Sequence, residues 1–83
     1  MKLFLTTKAD KQLRNLPTKM YDLLIARIES LGTDPFPSQS KKFTGREGFR
    51  LRVGDYRILY IVDVKKKELT ILSVAHRKEA YRR

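Results

Sequence analysis

Residues 49 to 53 alternate apolar and cationic side chains without a fault, Phe49-Arg50-Leu51-Arg52-Val53, before the chain passes through Gly54-Asp55 and continues as Tyr56-Arg57-Ile58-Leu59-Tyr60. Period-two alternation marks a strand with one buried face, and a two-residue Gly-Asp break between such runs marks a β-hairpin. The pairing follows directly. Val53 meets Tyr56, Arg52 meets Arg57, Leu51 meets Ile58 and Phe49 meets Tyr60, which leaves Arg50, Arg52 and Arg57 on one surface. Like charges directly opposite on neighbouring strands are destabilising, so a fold gains nothing from Arg52 against Arg57 unless something anionic lies over them. Phosphate is the expected anion.

The chain has 83 residues, enough for a single domain spanning 1–83 with a small core. At this size folding buries only roughly 60 to 65% of the surface of the extended chain. With no cysteine in the sequence, neither a disulfide framework nor a thiolate zinc site supports the fold. The N-terminal apolar run is too short for a signal peptide, and no window approaches a membrane span, so a soluble cytoplasmic protein with no membrane partner is expected. The net charge is +10, and it is unevenly placed: residues 1 to 40 hold six Lys/Arg against four Asp/Glu, residues 41 to 83 thirteen against five. A basic second half calls for a polyanionic partner, nucleic acid first and an acidic protein second.

Lys2 to Thr6 reads as a strand, and Thr7 as the cap of a helix carrying Ala9, Leu13 and Leu16 at helical spacing until Pro17 breaks it. A second helix from about Thr18 places Met20, Leu23, Leu24, Ile28 and Leu31 on one side and stops at Gly32. Residues 33 to 40 contain two prolines and read as an ordered loop, pinned by Phe36. The hairpin strands follow, the second running from Arg57 to Asp63. Lys65-Lys66-Lys67 reads as a solvated turn, and Glu68 to Ala75 as the last strand. The order is β-α-α-β-β-β: an N-terminal strand, a helical hairpin and a three-stranded antiparallel meander. The fold class is therefore α+β, with the helices on one face of an antiparallel sheet and the arginines on the other. Tyr56 and Tyr60 belong to the core, and Tyr21 to the surface.

Two stretches, Gly45-Arg46-Glu47-Gly48-Phe49-Arg50-Leu51-Arg52-Val53-Gly54-Asp55-Tyr56-Arg57 and the tail Ala75-His76-Arg77-Lys78-Glu79-Ala80-Tyr81, resemble the RelE/ParE superfamily of type II toxin-antitoxin toxins, and the RelE branch in particular. The resemblance covers nearly the whole chain in length and element order. It implies a RelE-like fold and a ribosome-dependent endoribonuclease that cuts messenger RNA, inhibits translation and contacts 16S rRNA. It also implies a cognate antitoxin, and a strongly basic face suits an acidic, partly disordered one. DNA would be reached only indirectly, through the antitoxin complex. Carried over by position, Arg50 and Arg52 stand where relatives have cationic residues on the central strand, often lysine. Arg57 stands at their phosphate-binding arginine, Arg77 at their post-strand arginine and Tyr81 at their C-terminal tyrosine, followed here only by Arg82 and Arg83.

Cutting RNA without a metal requires the ribose 2′-hydroxyl to attack the adjacent phosphate, with a base, an acid and stabilisation of the added charge. The single histidine, His76, excludes a two-histidine design, and the carboxylates show no ligand-like spacing for a metal. No cofactor is expected either. A cationic design remains, in which guanidiniums grip two phosphate oxygens and stabilise the phosphorane. The expected catalytic set is Arg57, Arg77, Tyr81 and Arg52, Tyr81 serving in proton transfer or base stacking. RNA contacts are expected from Arg50, Arg52, Lys41, Lys42, Arg46, Lys78, Arg82 and Arg83. His76 is an accessory residue at most, since a lone histidine at a strand end more often packs or hydrogen-bonds. The rival readings are a ParE-like inhibitor of DNA gyrase and an inactive relative that only binds RNA or DNA.

Overall fold

The computed structural model describes residues 1–43 and 47–80. The chain runs β1 (Lys2–Leu5), α1 (Thr7–Arg14), α2 (Thr18–Thr33), β2 (Lys41–Lys42), β3 (Phe49–Val53), β4 (Tyr56–Asp63), β5 (Glu68–His76) and α3 (Arg77–Ala80). These strands form one sheet in the order β1-β5-β4-β3-β2. The expected antiparallel sheet is in fact mixed: β1 pairs with β5 in parallel, Leu3 against Leu69 and Leu5 against Ile71. The two helices between β1 and the meander carry the chain across the sheet, and a crossover of this kind returns strands parallel. Lys41-Lys42, expected to lie in the connection, forms a short edge strand against Arg50 and Phe49.

Every pair expected in the hairpin is present, from Val53–Tyr56 through Arg52–Arg57 to Phe49–Tyr60. Gly54 takes a φ of 59° while Asp55 keeps a negative one, the pattern of a type II′ turn with glycine first. With the register set, Leu51, Val53, Ile58 and Tyr60 point towards the helices and are buried, joined by Leu69, Ile71 and Val74 of β5. The helices supply Ala9, Leu13, Leu24, Ile28 and Leu31 to the same core. Tyr21 is exposed, as expected.

The register of β5 against β4 slips at Leu72: Leu59 faces Ser73 but Tyr60 faces Ile71. The extra residue is a β-bulge, and it shifts the buried apolar positions from odd (Leu69, Ile71) to even (Val74). α1 covers the edge of β5 where β1 has ended. Thr6 donates its backbone N–H to the carbonyl of Ile71 (3.0 Å) and its hydroxyl to that of Leu72 (2.8 Å), and the Gln12 Oε1 accepts the Val74 N–H at 2.6 Å. Thr6, not Thr7, is the helix cap, its Oγ1 accepting the Ala9 N–H at 3.1 Å. α2 does not stop at Gly32 but runs on to Thr33. Gly32 lies inside the helix beside Leu3, and its carbonyl accepts a hydrogen bond from the N-terminal ammonium. No helix among the described residues is long and apolar enough to cross a membrane.

The loop after α2 is held from below. Tyr60, fully buried, donates its hydroxyl to the carbonyl of Pro35 at 2.8 Å, and the Phe36 ring packs 5.1 Å from that of Phe49. Ser40 closes the far end, its N–H and hydroxyl both donating to the Pro37 carbonyl at 2.9 Å. Burial raises the Tyr60 pKa above 10.0; the nearby Asp34 charge adds to the rise, and a hydrogen bond with Ser40 opposes it.

Three substitutions can be checked by urea denaturation. At Gly54, a new Cβ meets nothing within 4 Å, so Gly54→Ala should cost only the left-handed strain, about 1 kcal/mol. At Gly48 (φ 129°) the Cβ would meet the Phe43 ring at 2.7 Å, so Gly48→Ala should cost clearly more, about 2–3 kcal/mol. Tyr60→Phe should lose about 1 kcal/mol at pH 7. A raised folded pKa favours the protonated fold, so this contribution is complete below pH 10 and fades as pH rises through the folded value. The stability gap between wild type and Tyr60→Phe should accordingly narrow above pH 10.

Candidate nucleic-acid interface

Because paired residues in a sheet share a face, each register row states what lies on the side away from the helices. One row holds Arg52, Arg57 and Ala75; the next holds Lys41, Arg50, Leu59 and Ser73. Arg50 and Arg52 are exposed and Arg57 is half-buried. The small side chains of Ala75 and Ser73 leave the arginines room on the β5 side. Lys41, Arg50, Arg52 and Arg57 line a cavity of about 110 Å³ together with Gln39 from the preceding loop. Four of the expected cations therefore converge, and on the side of the sheet that the helices leave open.

The other expected residues stand elsewhere. Lys42 is in register with Phe49, which belongs to the helix-facing set, so it does not join the arginines. His76 is in register with Tyr56 on that same side, its ring edge-on to the Tyr56 ring at 5.2 Å and 82°, and its Nδ1 accepts the Lys78 N–H at 3.2 Å. It packs and hydrogen-bonds at the strand end, away from the cationic cavity. Arg77 sits at the turn end of the hairpin: its N–H donates to the Asp55 carbonyl at 2.6 Å, and its guanidinium stands 4.0 Å from the Asp55 carboxylate. Both side chains are more than half exposed, so this ion pair contributes little stability, though the backbone bond ties the tail to the turn. Lys78 is exposed on α3 one residue further on. Arg46, Tyr81, Arg82 and Arg83 lie outside the described residues.

Gln39 escaped the sequence reading because nothing in its neighbourhood singles it out. Its position depends on the anchoring of its loop by Tyr60, which reaches back to Pro35 across 25 residues. Chemically, the cavity offers guanidinium forks, an ammonium and one amide, with neither carboxylate nor imidazole among the described residues of its lining. Such a set can bind phosphate through two oxygens at once and stabilise added negative charge on it.

Residues 3–81 match the family described as the ParE toxin of the type II toxin-antitoxin system, parDE. The chain is 30% identical over 76 residues to a candidate toxin, RelE1, of Methanocaldococcus jannaschii, covering 87% of this chain and 84% of that one. Its fold is similar to the toxin-antitoxin complex RelBE2 of Mycobacterium tuberculosis (TM-score 0.82, 28% identity, 92% of this chain and 96% of that chain). It is likewise similar to the archaeal RelE-RelB complex of Pyrococcus horikoshii (TM-score 0.78, 28% identity, 92% and 93%). An element order, a cationic hairpin and these matches agree: the chain belongs to the RelE/ParE family of type II toxin-antitoxin toxins.

Proposed function

We propose that this toxin is a metal-independent endoribonuclease that cuts messenger RNA on the ribosome and is held inactive by an acidic antitoxin. The observation that carries the reading is the convergence of Lys41, Arg50, Arg52 and Arg57 on one cavity, with Arg52 directly opposite Arg57. Two guanidiniums in register on neighbouring strands suit a phosphate bound between them. In this reading Arg57 and Arg52 grip the scissile phosphate and stabilise the charge that grows as the 2′-oxygen attacks. Arg77 approaches from the turn end, and Tyr81 has the role of proton transfer or stacking. Arg50 and Lys41 hold neighbouring phosphates. The described residues of the lining supply charge and no base, so in this reading the isolated protein cuts RNA poorly, and the ribosome contributes by holding the strand in line, a positioning effect that reaches several kcal/mol.

The antitoxin half of the proposal rests on the relatives of Mycobacterium tuberculosis and Pyrococcus horikoshii, which were solved as toxin-antitoxin complexes with their partners. The matched family description names ParE, so inhibition of DNA gyrase is the second reading.

On programmed ribosomes, the wild-type protein should release messenger RNA fragments whose 5′ ends map in phase with codons, with DNA supercoiling by gyrase unchanged. Arg57→Ala should lower the cleavage rate by about 10²–10³-fold, the usual cost of removing one charge-stabilising donor. Undiminished cutting by that variant would overturn the assignment, and loss of supercoiling without cut RNA would favour the gyrase reading. Arg50→Ala, removing one phosphate contact, should weaken binding to single-stranded RNA and reduce the slope of log K against log salt by about 0.7.

A further inference from the structure

We infer that Gln39 reads a nucleobase beside the bound phosphates, and that the base it favours is adenine. The inference rests on the RNA-binding reading of the cationic cavity and adds to it the source of sequence preference. Lys41, Arg50, Arg52 and Arg57, the other described residues lining the cavity, are all cations. Contacts from cations to phosphate hold a strand in place and carry no sequence information, whereas contacts to base edges do. Among the described residues of this lining, Gln39 alone offers a donor and an acceptor side by side on one planar group. That pair complements the N6 amino group and N7 of adenine, the edge that glutamine meets with two hydrogen bonds. Its amide makes no hydrogen bond to a described residue, so both atoms remain available to a ligand.

A reading residue must also be held still, and the loop that carries Gln39 is fixed at both ends. Tyr60 binds the Pro35 carbonyl at 2.8 Å, Phe36 packs on Phe49, and Ser40, the next residue after Gln39, is tied twice to the Pro37 carbonyl. Pro35 and Pro37 restrict φ on either side of Phe36, lowering the entropy lost when the loop orders. The cavity, at about 110 Å³, has room for a phosphate and the rim of one base but not for a stacked pair. A single unstacked base, splayed from its neighbours as single-stranded RNA allows, fits this geometry.

The test measures equilibrium binding of the full-length protein to four short single-stranded RNAs that differ only in one central base, at several salt concentrations. Wild type should bind the adenine oligonucleotide about tenfold more tightly than the others, a difference at the low end of what one two-bond contact provides. In Gln39→Ala that preference should disappear, all four RNAs binding alike, while the salt slope, set by the cations, stays as it was. Gln39→Asn, which keeps the amide on a shorter arm, should restore part of the preference. Equal binding of all four RNAs by wild type, or an adenine preference that survives in Gln39→Ala, overturns the inference. Because the readout is binding, failure of the nuclease reading would show separately, as RNA bound with this preference and never cut.

Discussion

The register of β3 against β4 is the constraint on which the rest of this molecule depends. A slip of β3 by one residue would turn Arg50 and Arg52 into the core and expose Leu51 and Val53, since side chains alternate faces along a strand. The penalty would be two buried guanidiniums, far beyond what a domain of this size can absorb. The type II′ turn at Gly54-Asp55 fixes the register locally, and the burial of Tyr60 fixes it globally. Structure and charge display thus have one cause. The pattern that makes the hairpin fold also collects the guanidiniums, setting Arg52 directly opposite Arg57 while the other face of the same strands is buried.

Tyr60 links this register to the candidate site a second way. Its ring is core, stacked near that of Phe49 at 5.6 Å, yet its hydroxyl reaches out of the core to Pro35. One residue therefore transmits the hairpin register to the loop after α2, and through that loop to Gln39. A buried hydroxyl needs a partner, so the loop's position is set by polar satisfaction as much as by its own prolines.

How much of this was legible in the sequence depends on the range of the interaction involved. The hairpin pairs were fully readable, because a period-two pattern and a glycine-first turn are local. The helices were readable from periodicity, but the cap was misassigned by one residue: two threonines are adjacent, and only Thr6 also has the β5 edge within reach of its hydroxyl. The parallel placement of β1 was not readable, since its five-residue run carries no mark of direction. In β5 the apolar residues at 69, 71, 72 and 74 fit no single phase, and the bulge that reconciles them is completed by Thr6 and Gln12 from α1. The site followed the same rule. Arg50, Arg52 and Arg57 were found because one hairpin holds them all, Lys42 was grouped with them although register puts it on the helix-facing side, and Gln39 was missed because its placement is long-range.

Charge along the open face follows from the same arithmetic of alternation. On β4 the outward positions are Arg57, Leu59, Ile61 and Asp63, so one strand runs from cation through apolar to anion within four steps. Asp63 pairs with Glu68, and a second cavity of about 400 Å³ at this end is lined by Glu47, Asp63 and Glu68 among others. Lys2, in register with Glu68, and Lys65, Lys66 and Lys67 of the adjoining turn stand at the same end, so those carboxylates lie among lysines. The net charge of +10 is therefore not a uniform coat. At the Gly54-Asp55 end the register rows of the open face hold cations and no carboxylate, whereas at the other end carboxylates and lysines are interleaved within about one Debye length of each other. Composition alone describes this protein as basic; the strand register decides where that charge is concentrated and where it is offset.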